Sequence, residues 1–209
     1  MVKEDAITSH PAIPAPQQER SRLTAERFVT AALNLLKSHT FAELSVAEIA
    51  AEAGRSVGAF YQRFGSKDEF LEVLLRAFFE RAQAWAAELG KEASASEMLA
   101  VNLDGSFELL LANRNLWHAA LQRSAAEPGF WARFSGVAQQ AGALGLAALE
   151  RSAGRLLSES ERRRVTLARQ VFNSMINNQI INGPGPLRLD DPAFLTELRA
   201  IALQIAALD

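Results

Sequence analysis

Arg55, Arg63 and Lys67 are the cations of the stretch 53–67, which contains no acidic residue; Tyr61 and Gln62 stand among them. These residue types suit a phosphate backbone and the base edges beside it. A guanidinium or ammonium neutralises a phosphate and releases its counterions, and a phenol hydroxyl donates to a phosphate oxygen. Gln and Arg present donors that can read bases in the major groove. Val57 and Ala59 are small enough to let a helix approach base edges, and they offer only apolar contact, for instance to a thymine methyl. The net charge of −2 for the whole chain gives no sign of nucleic-acid binding, so the case rests on where the charge sits. A surface helix with scattered charge would explain the Arg, Lys and Tyr alone, but not the order of elements around them.

Those side chains need short, firmly seated helices. Ser45 and Glu48 have the spacing of a capping box, and Val46, Ile49, Ala50 and Ala53 keep one helical face apolar. Gly54 suits a left-handed helix stop, and Ser56 can cap a second helix two residues later. Phe60 and Phe64, four apart, anchor that helix to the same core. Two short helices around a glycine turn predict a helix-turn-helix. Residues 45–71 resemble the DNA-binding signature of the TetR family of bacterial transcriptional regulators. The resemblance runs residue by residue over IAAEAG (49–54), Ser56, Gly58, Phe60, Tyr61, Phe64, Ser66 and Lys67. It implies that Val57, Ala59, Gln62 and Arg63 face the bases, that Tyr61, Lys67 and Ser45 or Arg55 grip phosphates, and that Ser56 belongs to the same surface.

At 209 residues and 49% hydrophobic content the chain can build a substantial core. It has no cysteine, and His10, His39 and His118 are scattered, so no thiolate or histidine metal site is expected. No apolar run approaches the roughly 20 residues that span a bilayer, and the N-terminus lacks the apolar stretch of a signal peptide. A soluble, cytoplasmic protein is expected. Residues 1–20, with Pro11, Pro14 and Pro16, read as a flexible tail whose Arg20, with Arg22, could touch DNA. A first helix is predicted from Ser21 or Arg22 to Ser38, with Leu23, Phe28, Ala32, Leu35 and Leu36 inward. Ser66 and Glu69 form a second capping box and open a long helix carrying Phe70, Leu71, Leu74, Leu75, Phe78 and Phe79. Ser94 and Glu97 repeat the pattern. Further helices are predicted at roughly 95–112, 115–124, 128–153, 160–182 and 191–208, with no strand alternation. The expected fold is all-α, about nine helices. A helix-turn-helix DNA-binding domain (21–66) precedes a ligand-binding and dimerisation bundle (67–209).

No motif points to catalysis. Segments 183–186 (GPGP) and 142–145 (GALG) lack phosphate-loop spacing, and no nucleophile elbow occurs, so neither an enzyme nor a cofactor is expected. Glu161, Arg162, Arg163 and Arg164 read as a solvated helix start rather than a second DNA site. The last two helices carry more apolar residues than one core face uses. The resemblance implies a homodimer through them, which places Val165, Ala168, Phe172, Ile176, Ile180, Phe194, Leu198, Ile201 and Ile205 at the interface. It also implies an effector site among the middle helices. Phe107, Leu110, Leu111, Trp117, His118, Leu121, Trp131, Phe134, Phe172 and Met175, with Asn173 and Asn177, are its candidate lining, although aromatic residues at helical spacing also fit a plain core. The function expected is that of a repressor binding a palindromic operator as a homodimer and released by a small hydrophobic or aromatic effector. An activator or effector-independent regulator, or a helical adaptor that has lost DNA binding, are the alternatives.

Overall fold

Serine caps set most of the helix starts in the computed structural model, which describes residues 16–208. The elements are α1 (Pro16–Leu35), α2 (Val46–Glu52), α3 (Val57–Phe64), α4 (Lys67–Glu88), α5 (Ala95–Ala112), α6 (Arg114–Ala126), a 3-10 turn (Phe130–Phe134), α7 (Ser135–Ala153), α8 (Glu159–Asn182) and α9 (Pro192–Ala206). No strand occurs among the described residues. Reciprocal capping boxes open α2 at Ser45, α4 at Ser66 and α8 at Ser158, the last not anticipated from the sequence. At Ser94 the box is incomplete. The Ser94 hydroxyl accepts from Glu97 N, but the Glu97 carboxylate accepts from Ala93 N at 3.1 Å instead of closing onto the cap.

Three boundaries differ from the sequence reading. α1 starts at Pro16, inside the expected tail, because proline suits a first helical turn where no N–H is needed. The rest of that tail, residues 1–15 with His10, lies outside the described residues. α1 also ends at Leu35 rather than Ser38: Lys37 N and Ser38 N bond back to Asn34 O and Leu35 O, tightening the chain into a turn. The helix predicted over 128–153 is interrupted. Gly129 is left-handed (φ 81°), a 3-10 turn follows, and α7 begins only at Ser135.

α1, α2 and α3 pack with the start of α4 into a small N-terminal unit. Phe28 of α1, Phe60 and Phe64 of α3, and Phe70 of α4 form one ring cluster, with centroids 4.5–5.6 Å apart. Phe28, Phe60 and Phe70 are fully buried. α4 then runs on into the larger bundle, where it packs against α7, and the α8–α9 hairpin forms the far side.

Truncating a fully buried aromatic typically costs 3–5 kcal/mol, so Phe60→Ala is expected to lower unfolding stability by about 3 kcal/mol or more. Ser45→Ala, which removes only a cap, should cost about 1 kcal/mol. Urea unfolding followed by circular dichroism measures both.

Candidate nucleic-acid interface and internal cavity

Helix α3 is presented by its two ends as much as by its phenylalanines. α2 closes in a Schellman turn: Arg55 N bonds to Ala50 O at 2.9 Å and Gly54 N to Ala51 O at 3.0 Å, with Gly54 at φ 61°. The Ser56 hydroxyl accepts from Ala59 N at 3.2 Å, so its own proton remains free to donate outward. At the other end Gly65 takes φ 72°, and a Cβ there would collide with the Glu69 carboxylate. Phe60 and Phe64 face inward, while Val57 (40% exposed), Tyr61 (49%), Gln62 and Arg63 face outward; Ala59 is partly covered.

The charges around this face are largely committed to neighbours. Arg63 Nη1 donates to the Ser21 hydroxyl on α1 at 3.0 Å, and Arg55 Nη1 to Gly54 O at 3.0 Å. Lys67 Nζ lies 4.7 Å from the Phe41 ring centre and donates to Ala42 O at 3.4 Å. Burial pushes the Lys67 ammonium pKa down, opposed by Asp68 and Glu48. The acids next to Lys67 are occupied too. Asp68 pairs with Arg123 at 2.7 Å, and Glu69 accepts from Ser66 N. Ser45 departs from its expected role: its N–H and its hydroxyl both donate to Glu48, each at 2.7 Å, so the capping box leaves no donor for a phosphate. Those bonds, the hydroxyl's first, hold the Glu48 pKa down.

A cavity of about 290 Å³ lies among α4, α5, α6, α7 and α8. Of the expected lining, Leu110, Trp117, Asn173 and Asn177 border it. The others do not. Phe107 packs on Phe194, Trp131 on Trp117 and Phe134 on Phe79, and Phe172 is fully buried in the core. Leu121 is buried, Leu111 packs against the core, and Met175 is 44% exposed, facing away. His118 borders a separate surface recess with Arg114, Gln179 and Arg188. The lining missed from the sequence includes Phe78, Phe79, Trp85, Asn102 and Arg169. Arg169 had a legible signal, since it precedes Asn173 and Asn177 at four-residue steps along one helix face. Trp117 Nε1 donates to Asn177 Oδ1 at 2.8 Å, tying α6 to α8 at the cavity wall.

The expected dimer residues are also largely internal. Val165, Ala168, Phe172, Ile176, Phe194 and Leu198 are at most 4% exposed within this single chain, because α8 and α9 bury those faces against the bundle. Ile180 and Ile205 are partly covered, and Ile201 alone of the set is 48% exposed. The outward apolar residues of the hairpin are Leu167, Met175, Ile181 and Ile201. The Arg162–Arg164 run lies at the start of α8 with Arg162 and Arg163 exposed, as expected; Arg162 pairs with Glu150 at 2.7 Å, and half-buried Arg164 donates to Ala206 O at 2.9 Å.

A short exposed helix, seated on a small helical core and followed by a helical bundle with a cavity, has the architecture of a helix-turn-helix protein. Residues 28–74 match the family model described as bacterial regulatory proteins, tetR family. Over 58 residues the chain is 45% identical to YwcC, an uncharacterized HTH-type transcriptional regulator of Bacillus subtilis; the match spans 28% of this chain and 26% of that relative. A TetR-family transcriptional regulator from Streptomyces coelicolor superposes with a TM-score of 0.63 at 16% identity, covering 88% of this chain and 78% of that one. FadR of Bacillus subtilis, solved in complex with stearoyl-CoA, gives 0.52 at 20% identity over 87% and 95% of the two chains. Residues 28–74 thus carry the sequence signature of that family's DNA-binding domain, and the chain has the fold of solved TetR-family transcriptional regulators. No helix among the described residues is long and apolar enough to cross a membrane.

The cavity wall depends on one close approach, since a Cβ at Gly105 would fall onto the Trp85 indole. Gly105→Ala is therefore expected to destabilise the protein by about 1–2 kcal/mol, overpacking outweighing the better helix propensity of alanine. It should also shift tryptophan emission; chemical unfolding and fluorescence spectra measure the two effects.

Proposed function

We propose that the protein is a transcriptional repressor that binds a palindromic operator as a homodimer and releases it when a small effector enters the internal cavity. The observation that carries this reading is the outward face of α3, where Val57, Tyr61, Gln62 and Arg63 stand free of the core that holds Phe60 and Phe64. In this reading Gln62 and Arg63 donate to base edges, while Val57 and Ala59 make apolar contact. Tyr61, Lys67, Arg55 and the free hydroxyl proton of Ser56 meet phosphates. Arg63 and Lys67 exchange Ser21 and Ala42 for DNA as they bind.

Two helices favour an effector-linked mechanism, because each touches both halves of the molecule. α4 carries Lys67 at its first turn and Phe78, Phe79 and Trp85 at the cavity. α6 carries Trp117 at the cavity, while Asn115 Nδ2 donates to Leu36 O at 2.8 Å and to His39 O at 3.1 Å beyond α1. Arg123 of α6 holds Asp68 beside Lys67. A ligand that prefers a different spacing of α4 and α6 thereby favours a different orientation of α3, and only that difference in affinity releases DNA. FadR, with the same fold, was solved with an acyl-CoA bound, which supports a ligand role for the bundle. For the dimer we propose the exposed stripe of Leu167, Met175, Ile181 and Ile201 as the contact, in place of the buried residues. Two copies would set their α3 helices about 34 Å apart, one turn of duplex.

Mobility-shift titrations test the DNA reading, with operators first selected from a random pool. Lys67→Ala should weaken all sequences about evenly and lower the salt slope by roughly one, whereas Arg63→Ala should relax base preference at one position in each half-site. Failure of the wild-type protein to give any salt-dependent shift with selected DNA would favour the adaptor alternative. For the dimer, the double substitution Met175→Glu, Ile201→Glu should yield monomers by analytical ultracentrifugation with unchanged helicity. A persistent dimer would reject this face.

A further inference from the structure

Arg169, Asn173 and Asn177 follow one another at four-residue steps on α8, and all three border the cavity. Arg169 is the one charged residue in the lining, and none of the lining residues is acidic. It makes no ion pair or hydrogen bond among the described residues. Burial pushes its pKa down, but a guanidinium stays charged at any ordinary pH, so the cavity holds an uncompensated cation. Asn102, 2% exposed on the facing helix α5, has its Oδ1 buried without a partner. The two side chains converge over Gly145 of α7. A Cβ there would sit 3.2 Å from Arg169 Nη1 and 3.3 Å from Asn102 Nδ2, so the glycine leaves room for both donors. Asn177 is oriented as a further donor, because its Oδ1 is already taken by Trp117 Nε1.

The remaining wall is aromatic. Phe78 and Phe79 stand 5.2 and 6.0 Å from the Trp117 ring, and Trp85 covers the α5 side. We infer that the cavity takes a small aromatic carboxylate, with its anionic end between Arg169 and the asparagine amides and its ring among Phe78, Phe79, Trp85 and Trp117. The charge follows from a half-buried arginine that lacks a counter-ion, since a partly desolvated guanidinium pairs two-pronged with a carboxylate and recovers its desolvation cost. A single cation balances a monoanion, whereas a phosphate dianion would leave net negative charge in a low-dielectric wall. The size follows from the 290 Å³, at the small end of ligand sites.

This inference rests on the effector reading above only in calling the bound molecule an effector, so its test is run without DNA. The tryptophans report directly: Trp85 and Trp117 line the cavity, and Trp131 stacks on Trp117 at 5.2 Å. The full-length protein is titrated with 1-naphthoate, 1-naphthamide and 1-naphthyl phosphate while tryptophan emission is followed. Naphthoate should give a saturable change, with the amide and the phosphate ester each at least about tenfold weaker. Arg169→Met should abolish the preference for acid over amide while keeping wild-type helicity by circular dichroism, which separates a ligand contact from a folding defect. Equal affinity for acid and amide, tighter binding of the phosphate, no naphthoate binding at all, or an Arg169→Met variant that binds naphthoate like the wild type would each overturn the inference. A parallel mobility-shift experiment keeps the two readings apart. Naphthoate that binds without releasing operator would count against the effector-responsive repressor alone, and release by the amide but not the acid would count against the carboxylate alone.

Discussion

Four phenylalanine rings from three helices meet beneath α3, and everything the N-terminal unit presents depends on that contact. A helix of eight residues is too short to persist by itself in water, because the nucleation cost of a helix is recovered only over many residues or by packing. Phe60 and Phe64 supply that packing. They meet Phe28 and Phe70 mostly edge-on or tilted, the geometries that ring quadrupoles favour. With its inner face anchored and both ends capped, α3 can leave Val57, Tyr61, Gln62 and Arg63 in solvent without losing its shape.

The same cluster joins the small unit to the large one, since Phe70 is the first buried residue of α4. α4 is continuous from its start beyond Gly65 to the aromatic wall of the cavity, so one helix borders both regions. α6 makes a second link through asparagine and arginine contacts rather than through packing. Two unlike connections, one apolar and one polar, join the halves of the molecule. Arg169 and Asn102 sit where α5, α7 and α8 converge, and Gly145 gives them space that a larger residue would crowd.

The α8–α9 hairpin shows how one pair of helices can serve two surfaces. Its inner stripe, from Val165 through Phe172 to Ile176 and across to Phe194 and Leu198, is consumed by the core of its own chain. The outer stripe of Leu167, Met175, Ile181 and Ile201 is smaller and remains in solvent. The burial of that inner stripe sets which side of the hairpin is outward, and an ion pair between Asp104 of α5 and Arg199 of α9 adds one polar tie.

Local chemistry was legible in the sequence because it acts over three or four residues. The Ser45–Glu48 and Ser66–Glu69 boxes, the glycine stop at Gly54 and the inward spacing of Phe60 and Phe64 each follow from contacts within one turn. Those features were enough to define the helix-turn-helix and its outward residues. The all-helical bundle and most of its boundaries follow from periodicity for the same reason. What periodicity could not supply was the choice among buried faces. Val165, Phe172 and Phe194 look the same whether they pack on their own bundle or on a second copy, and Phe107 and Phe134 look the same in a core or around a cavity. Only the tertiary structure decided these, because a face is assigned by which helix lies opposite it. The internal cation at Arg169 and the donors used up at Ser45 are likewise visible only once long-range neighbours, or the rotamers chosen within a cap, are in place.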